Sequence, residues 1–246
     1  MEVTVFGLYE DVLSQNHVLI AGASGSGKSV VIHGVIYNGL VKSNAEVEYI
    51  FIDPKRIELS MYKDVAHCIR YASEPEDIVS ALRYAMDCTE SRYQQMQAEG
   101  VRIWFGGDIY VIIDELADLM TTNRKEVQPL IQRLCQIGRA AKVHVIAATQ
   151  CPLASVIPTP IKVNFDAKIG LRTYTAQDSR NILGVKGCES LPRYGYGYYF
   201  TPDERSLVEI PMYQPEVVNE MIQFRTPEPP KSRFSGFLSR LFKTCA

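Results

Sequence analysis

The residues with the most chemistry to offer open the chain's first apolar segment, His17-Val18-Leu19-Ile20-Ala21-Gly22-Ala23-Ser24-Gly25-Ser26-Gly27-Lys28-Ser29. Within it, Gly22-x-x-x-x-Gly27-Lys28-Ser29 stands directly after a strand-like run and directly before a helical one, the context a phosphate-binding loop needs. Glycine lets such a loop curl close around phosphate oxygens, with backbone N–H groups turned inward at the positive end of the following helix. Gly22, Ala23, Ser24, Gly25, Ser26, Gly27, Lys28 and Ser29 are therefore the expected phosphate cradle. Lys28 is placed to reach the β and γ phosphates of ATP, and the Ser29 hydroxyl to ligate Mg²⁺.

A second run, Ile109-Tyr110-Val111-Ile112-Ile113, ends in Asp114-Glu115. Asp114 at the end of a buried strand is expected to hold Mg²⁺ through water, and Glu115 to polarise the water that attacks the γ-phosphate. The bland alternative makes both residues first-turn caps of a helix. A glutamate beside the metal carboxylate favours hydrolysis over transfer to a small acceptor, hence an ATP-driven machine rather than a nucleotide kinase. A third run, Val143–Thr149, ends in Gln150, whose polar side chain is expected to sense the γ-phosphate.

These residues need a scaffold that brings strand ends together. Short apolar runs alternate with longer amphipathic stretches, the pattern of βα repeats around a mainly parallel, twisted sheet flanked by helices. Strands are expected at His17–Ala21, Glu48–Ile52, Ile109–Asp114, Val143–Thr149 and Lys168–Leu171. Their near-continuous Val and Ile content marks burial on both faces. Two further strands, Gly197–Phe200 and Leu207–Ile210, flank the turn Thr201-Pro202-Asp203-Glu204. Helices are expected at Lys28–Leu40, Pro75–Ala98, Lys125–Arg139 and Thr175–Leu183.

Composition sets the outer bounds. The chain has 246 residues, 26 Lys plus Arg against 28 Asp plus Glu, and 46% hydrophobic residues, as in a folded α/β protein and unlike a polybasic binder or disordered chain. No window approaches a membrane span, and the acidic start lacks signal-peptide order, so the expected location is cytoplasmic. Cysteines 68, 88, 135, 151, 188 and 245 contain no C-x-x-C pair, and the four histidines are scattered, so reduced thiols and no zinc are expected. Residues 1–225 read as one ATPase domain. Residues 226–246 read as a Pro-rich linker and a basic amphipathic tail.

In these segments the chain resembles the motor domain of the FtsK/SpoIIIE family of double-stranded DNA translocases, from about His17 to Met221. Besides the phosphate loop, the matching stretches are Phe51–Leu59, Ala81–Tyr84, Ser91–Tyr93, Asp114–Met120, Gly138–His144, Ala148–Gln150 and Asp178–Arg180, in family order and spacing. The resemblance implies a RecA-like fold that assembles into a homo-oligomeric ring, usually a hexamer, with ATP at subunit interfaces and double-stranded DNA in the central pore. It also implies an arginine finger supplied by the neighbouring subunit. Arg83 is the first candidate, with Arg180 and Arg139 as alternatives; for each, a salt bridge within the subunit is the competing reading. Cys151-Pro152 stands where the family usually has Arg-Pro. The expected lack of an N-terminal membrane region and of a winged-helix module would make this a stripped motor, one that resembles FtsK-like proteins of mobile genetic elements more than the cell-division protein.

A ring holds DNA only in its pore, so a net charge of −2 does not oppose DNA binding. Thr121–Lys125, read as a loop carrying Arg124 and Lys125, is the first candidate for the pore, followed by the region around Lys186 and Arg193. The stretch Arg193–Phe200 is rich in aromatics that could stack on bases, but the resemblance implies that the chain re-enters the sheet there through a glycine turn. The tail, residues 231–246, combines Lys231, Arg233, Arg240 and Lys243 with apolar residues at helical spacing, suiting an anionic membrane or a partner; a tail without a role is equally open. Three functions remain: an ATP-hydrolysing DNA translocase, a coupling ATPase of a conjugation or secretion machine acting on protein or nucleoprotein, and a non-hydrolysing ATP-dependent assembly module.

Overall fold

Runs of Val and Ile with no polar alternation need cover on both sides, and the central strands obtain it. The computed structural model describes residues 3–4, 7–42, 47–153 and 155–212. The strands are β1 (Val3–Thr4), β2 (His17–Ala21), β3 (Val47–Ile52), β4 (Cys68–Ala72), β5 (Asp108–Ile113), β6 (Val143–Thr149), β7 (Ala167–Gly170), β8 (Tyr196–Phe200) and β9 (Arg205–Glu209). Interleaved are the helices α1 (Leu8–Ser14), α2 (Lys28–Tyr37), α3 (Pro75–Glu99), α4 (Leu116–Thr122), α5 (Arg124–Ile137), α6 (Thr159–Lys162) and α7 (Ala176–Leu183). The strands form one sheet in the order β1-β9-β8-β7-β2-β6-β5-β3-β4. Among the described residues β8 runs against both neighbours, and every other pair is parallel.

Each central strand divides its side chains between two cores. Ile109, Val111 and Ile113 of β5 join Val143, Val145 and Ala147 of β6 beneath α3, α4 and α5. Tyr110, Ile112, Ile146 and Ala148 point the other way, onto α1 and α2. α2 is buried along most of its length through Val31, Ile32, Val35 and Ile36. α3 is amphipathic: Ile78, Val79, Leu82, Ala85 and Met96 face the core, and it stops at Gly100 in a left-handed conformation.

Expected and observed elements differ in three instructive places. α2 does not continue to Leu40 as an α-helix but widens into a π-helical turn over Asn38–Lys42. Cys68–Ala72, unassigned from sequence, is the edge strand β4; its Arg70 is exposed and the strand lacks the apolar continuity of the centre. The third difference corrects the expected pore loop. Thr121 and Thr122 end α4, their hydroxyls donating to Ala117 O and Asp118 O at 2.8 and 2.7 Å, and Asn123 alone separates them from α5. Leu116, Leu119 and Met120 recur at spacings of three and four, and burying them makes this stretch helical. The expected linker and tail, residues 226–246, lie outside the described residues.

Candidate active site

Parallel strands place all their C-terminal ends on one edge of the sheet, where β2, β6, β5 and β3 lie side by side. β2 turns there into residues 22–27. Gly22 is obligatory on packing grounds: a Cβ would lie 2.5 Å from Ser26 Oγ and 2.8 Å from Leu171 Cβ. Gly27, at the start of α2, has φ +101°, open to glycine at little cost. The loop is pinned to its neighbours by Gly22 N–H donating to Thr149 O at 3.3 Å and Ala23 N–H to Arg172 O at 2.8 Å. Lys28 Nζ donates to Gly22 O and Ala23 O at 2.9 and 2.8 Å. Burial pushes its ammonium down to about 8, against the pull of Glu115.

Because β6 lies between β2 and β5, the phosphate loop and the Asp114-Glu115 pair flank the end of β6. Glu115 is 3% exposed, and a buried carboxylate needs donors. Gln150 N–H supplies one, at 3.0 Å from Oε1 and 3.2 Å from Oε2, and Lys55 Nζ another, at 3.2 Å from Oε2. Asp114 is less well served. Burial first, then the charges of Asp53 and Glu58, raise its carboxyl to about 6. Asp53 is fully buried; its Oδ2 accepts Leu59 N–H at 3.0 Å, while its Oδ1 has no hydrogen-bond partner among the described residues.

The segment after β3, residues 53–59, lies in a stretch that carries the family resemblance, but no role at the site was assigned to it from sequence. Lys55 turns to Glu115 and lies 3.8 Å from Asp118 Oδ2. Glu58 turns the opposite way, toward the first turns of α2: its Oε2 is 3.5 Å from His33 Nε2, and the polar groups of His33 and Ser29 hold its carboxyl below the usual carboxylate range. One loop thus brings a cation to Glu115 and an anion to Ser29. The available signal was charged residues immediately following a buried parallel strand, Asp53-Pro54-Lys55-Arg56-Ile57-Glu58.

The expected Mg²⁺ site is an all-oxygen set, Ser29 hydroxyl and Asp114 carboxylate with Asp53 and Glu58 close by, and hard oxygens with excess negative charge fit that ion. Among the described residues no three His, Cys, Asp or Glu side chains form a metal cage by themselves. The cation would accordingly be shared with substrate phosphates, as Mg²⁺ commonly is.

Other expected residues sit as follows. Gln150 follows β6 at the site, exposed, and its observed contact with Glu115 is through the backbone. Arg83 is on the exposed face of α3, 3.4 Å from Glu126 of its own chain. Arg180 is exposed on α7. Arg139 lines a cleft with Asn16, Tyr93, Asp108, Lys142 and His144 at the opposite edge of the sheet. Arg124 is not free to contact a ligand through its whole guanidinium: it donates to Ser155 O and Val156 O, tying α5 to the segment after β6. Lys125 is exposed. Arg193 leans over the phosphate loop, its guanidinium 3.5 Å from where a Cβ on Gly25 would be.

With this geometry established, a family model described as "FtsK/SpoIIIE family" matches residues 6–104 and 107–154. The chain belongs to the FtsK/SpoIIIE family. Curated FtsK/SpoIIIE relatives include the DNA translocase FtsK of Lactococcus lactis subsp. cremoris (strain MG1363), 37% identical over 221 residues, covering 81% of this chain and 29% of the relative. The DNA translocase FtsK of Vibrio vulnificus (strain CMCP6) is 35% identical over 241 residues, covering 82% and 24%. This chain therefore spans less than a third of the length of either. Among solved structures, the pCW3 conjugation coupling protein TcpA with ATPγS superposes with TM-score 0.76 at 22% identity, covering 87% of this chain and 66% of that one. EssC ATPases 2 and 3 from Geobacillus thermodenitrificans give TM-score 0.76 at 17% identity, covering 86% and 44%. These likenesses establish the fold: a mostly parallel sheet flanked by helices, shared with P-loop ATPases.

Proposed function

We propose that this chain is an ATP-hydrolysing motor that assembles into a ring, usually a hexamer in this family, and moves double-stranded DNA. The observation that carries this reading is the convergence of Lys28, Asp114 and Glu115 around the end of β6 in an FtsK/SpoIIIE chain. The named relatives are DNA translocases, which supports DNA as the substrate. In this reading Lys28 exchanges its two loop carbonyls for the β and γ phosphates, whose negative charge attracts the ammonium more strongly than a neutral carbonyl does. Glu115, held by Gln150 N–H, takes the proton of the attacking water. Ser29 and Asp114 would hold Mg²⁺, which when bound would neutralise charge on the phosphates.

Arg83, paired among the described residues with an exposed Glu126 alone, supplies the neighbouring subunit's cation, with Arg180 and Arg139 as the alternatives. Lys125 is the remaining pore candidate from the α4–α5 junction, since Arg124 is engaged within the fold. Among the described residues no helix is long and apolar enough to cross a membrane. We assign the motor to the cytoplasmic side, with residues 231–246 available to a membrane or partner.

ATPase rate measured with and without linear double-stranded DNA tests the proposal. Stimulation by DNA is expected. Turnover indifferent to DNA would instead favour a coupling ATPase acting on protein or nucleoprotein, and bound but unhydrolysed ATP an assembly module. Arg83→Ala subunits mixed with Glu115→Gln subunits test the finger: recovered hydrolysis means action between subunits, and no recovery in rings shown to mix moves the role to Arg180 or Arg139.

A further inference from the structure

Glu58 has no part in the reading above, yet its surroundings are specific. Its Oε2 lies 3.5 Å from Nε2 of His33, one helical turn beyond Ser29, the expected metal ligand, on the same face of α2, and His33, Ser29 and Lys28 together hold its carboxyl below the usual carboxylate range. Behind it stands a relay of buried groups. His33 is buried on α2 and its Nδ1 lies 2.7 Å from the hydroxyl of Tyr62, itself fully buried. An ionised carboxylate only accepts, so the ring nitrogen facing Glu58 is the N–H, and in the neutral ring Nδ1 then accepts from the Tyr62 hydroxyl. The proton of His33 then resides on Nε2, aimed at Glu58 Oε2 3.5 Å away. The order Tyr62→His33→Glu58 leaves Glu58 an acceptor.

The backbone holds the carboxylate there as well. Leu59 N–H donates to Asp53 Oδ2 at 3.0 Å and Arg56 N–H to Asp53 O at 3.1 Å, closing residues 53–59 into a loop that delivers Glu58 to the first turn of α2. The remaining oxygen of Asp53, fully buried and without a hydrogen-bond partner among the described residues, belongs to a carboxylate whose charge bears on Asp114. A buried acceptor left open beside two further carboxylates is the environment of a cation with bound water.

We propose that Glu58 is a third protein element of the divalent-cation site, accepting a hydrogen bond from water on the cation that Ser29 and Asp114 hold, with His33 as its positioning residue. The inference rests on the nucleotide and cation reading above. In the ligand-free chain Glu58 keeps the Ser29 hydroxyl oriented; with cation and nucleotide present it turns the same acceptor to the metal's water. Removing its charge should then weaken the cation's hold while sparing the nucleotide's own contacts.

The test is equilibrium binding of a fluorescent, non-hydrolysable ATP analogue to the full chain, titrated with Mg²⁺ and repeated in EDTA. Glu58→Gln keeps the shape and an acceptor for Ser29 but loses the charge. It should raise the Mg²⁺ concentration at half-effect about three- to tenfold, with affinity in EDTA unchanged or tighter because a like charge has left the phosphates. His33→Gln should shift it in the same direction by less. A loss for Glu58→Gln equal in Mg²⁺ and EDTA would overturn the proposal, since Glu58 would then only shape the loop. Asp114→Asn in the same assay separates the two levels: a shift for Asp114→Asn with none for Glu58→Gln removes Glu58 alone, and no shift for either removes the cation reading too. An unchanged thermal midpoint for Glu58→Gln confirms that the variants compared are folded.

Discussion

The two edges of the sheet each gather buried titratable residues, but they treat them differently. At the far edge, where β5 and β6 begin, His144 Nε2 lies 2.8 Å from Asp108 Oδ1 and its Nδ1 3.1 Å from Asn16 O, while Asn16 Nδ2 donates to Asp166 at 2.6 Å. His17 accepts Val145 N–H at 3.0 Å and is driven down to about 4 by burial and by His144, leaving only a neutral ring nitrogen, Nε2, unpartnered. At the phosphate edge the compensation is incomplete. Lys28 is lowered to about 8, Asp114 raised to about 6, and Asp53 Oδ1 has no hydrogen-bond partner among the described residues. The far edge also has the cleft. Titratable residues and a hollow therefore do not locate the chemistry here; charges left short of partners do.

The largest effect expected from this contrast is on turnover. Glu115→Gln removes the base but keeps an acceptor for Gln150 N–H, so ATP binding should persist while hydrolysis falls by about 10³-fold. Single-turnover hydrolysis beside nucleotide affinity checks it, and a rate near wild type would exclude Glu115 as the base. Next comes binding. Lys28→Ala should weaken MgATP affinity by about 100-fold, roughly 3 kcal/mol, whereas Asp108→Asn at the far edge should leave it within about twofold. Equal losses in the two variants would erase the distinction between the edges.

Much of this contrast was legible in the residue order, because it follows from local rules. The glycine pattern before Lys28 predicts a loop, and the unbroken apolar runs predict buried strands whose ends share an edge; observed β2 and β6 match the expected limits, and β3, β5 and β7 differ by one residue. What was not legible depends on contacts distant in sequence. Lys55 and Glu115 are 60 positions apart, and no spacing rule pairs them. Arg124 looked available because its partners, carbonyls of residues 155 and 156, are backbone atoms that carry no sequence signal. β4 was missed since an edge strand needs little apolar surface.

The far edge makes its own, smaller prediction. Above pH 6.5 His17 is neutral in both folded and unfolded chains. As pH falls from 6.5 toward 4, the unfolded chain takes up a proton that folded His17 refuses, so stability must fall with it. Between pH 7 and pH 5 the loss from this group should be about 2 kcal/mol. Urea unfolding at both pH values, on wild type and His17→Gln, measures it; superimposable pH dependences for the two proteins would mean His17 is not kept neutral by the fold.

The smallest expected effect belongs to Arg83, and its smallness is the informative part. The far edge shows what a committed charge looks like: short contacts, burial, and more than one partner. Among the described residues Arg83 has one ion pair, 3.4 Å long, between side chains that are 64% and 51% exposed. Solvent screens such a pair, and ordering two long side chains offsets most of what remains, so Arg83→Ala should change unfolding free energy by less than about 1 kcal/mol. A chemical denaturation curve on the ligand-free chain decides this before any ring is assembled. A near-zero change means that a hydrolysis defect in the same variant cannot come from a damaged fold and must come from the lost cation. A loss above about 2 kcal/mol would make Arg83 part of the α3–α5 packing, and the search for the finger would pass to Arg180 and Arg139.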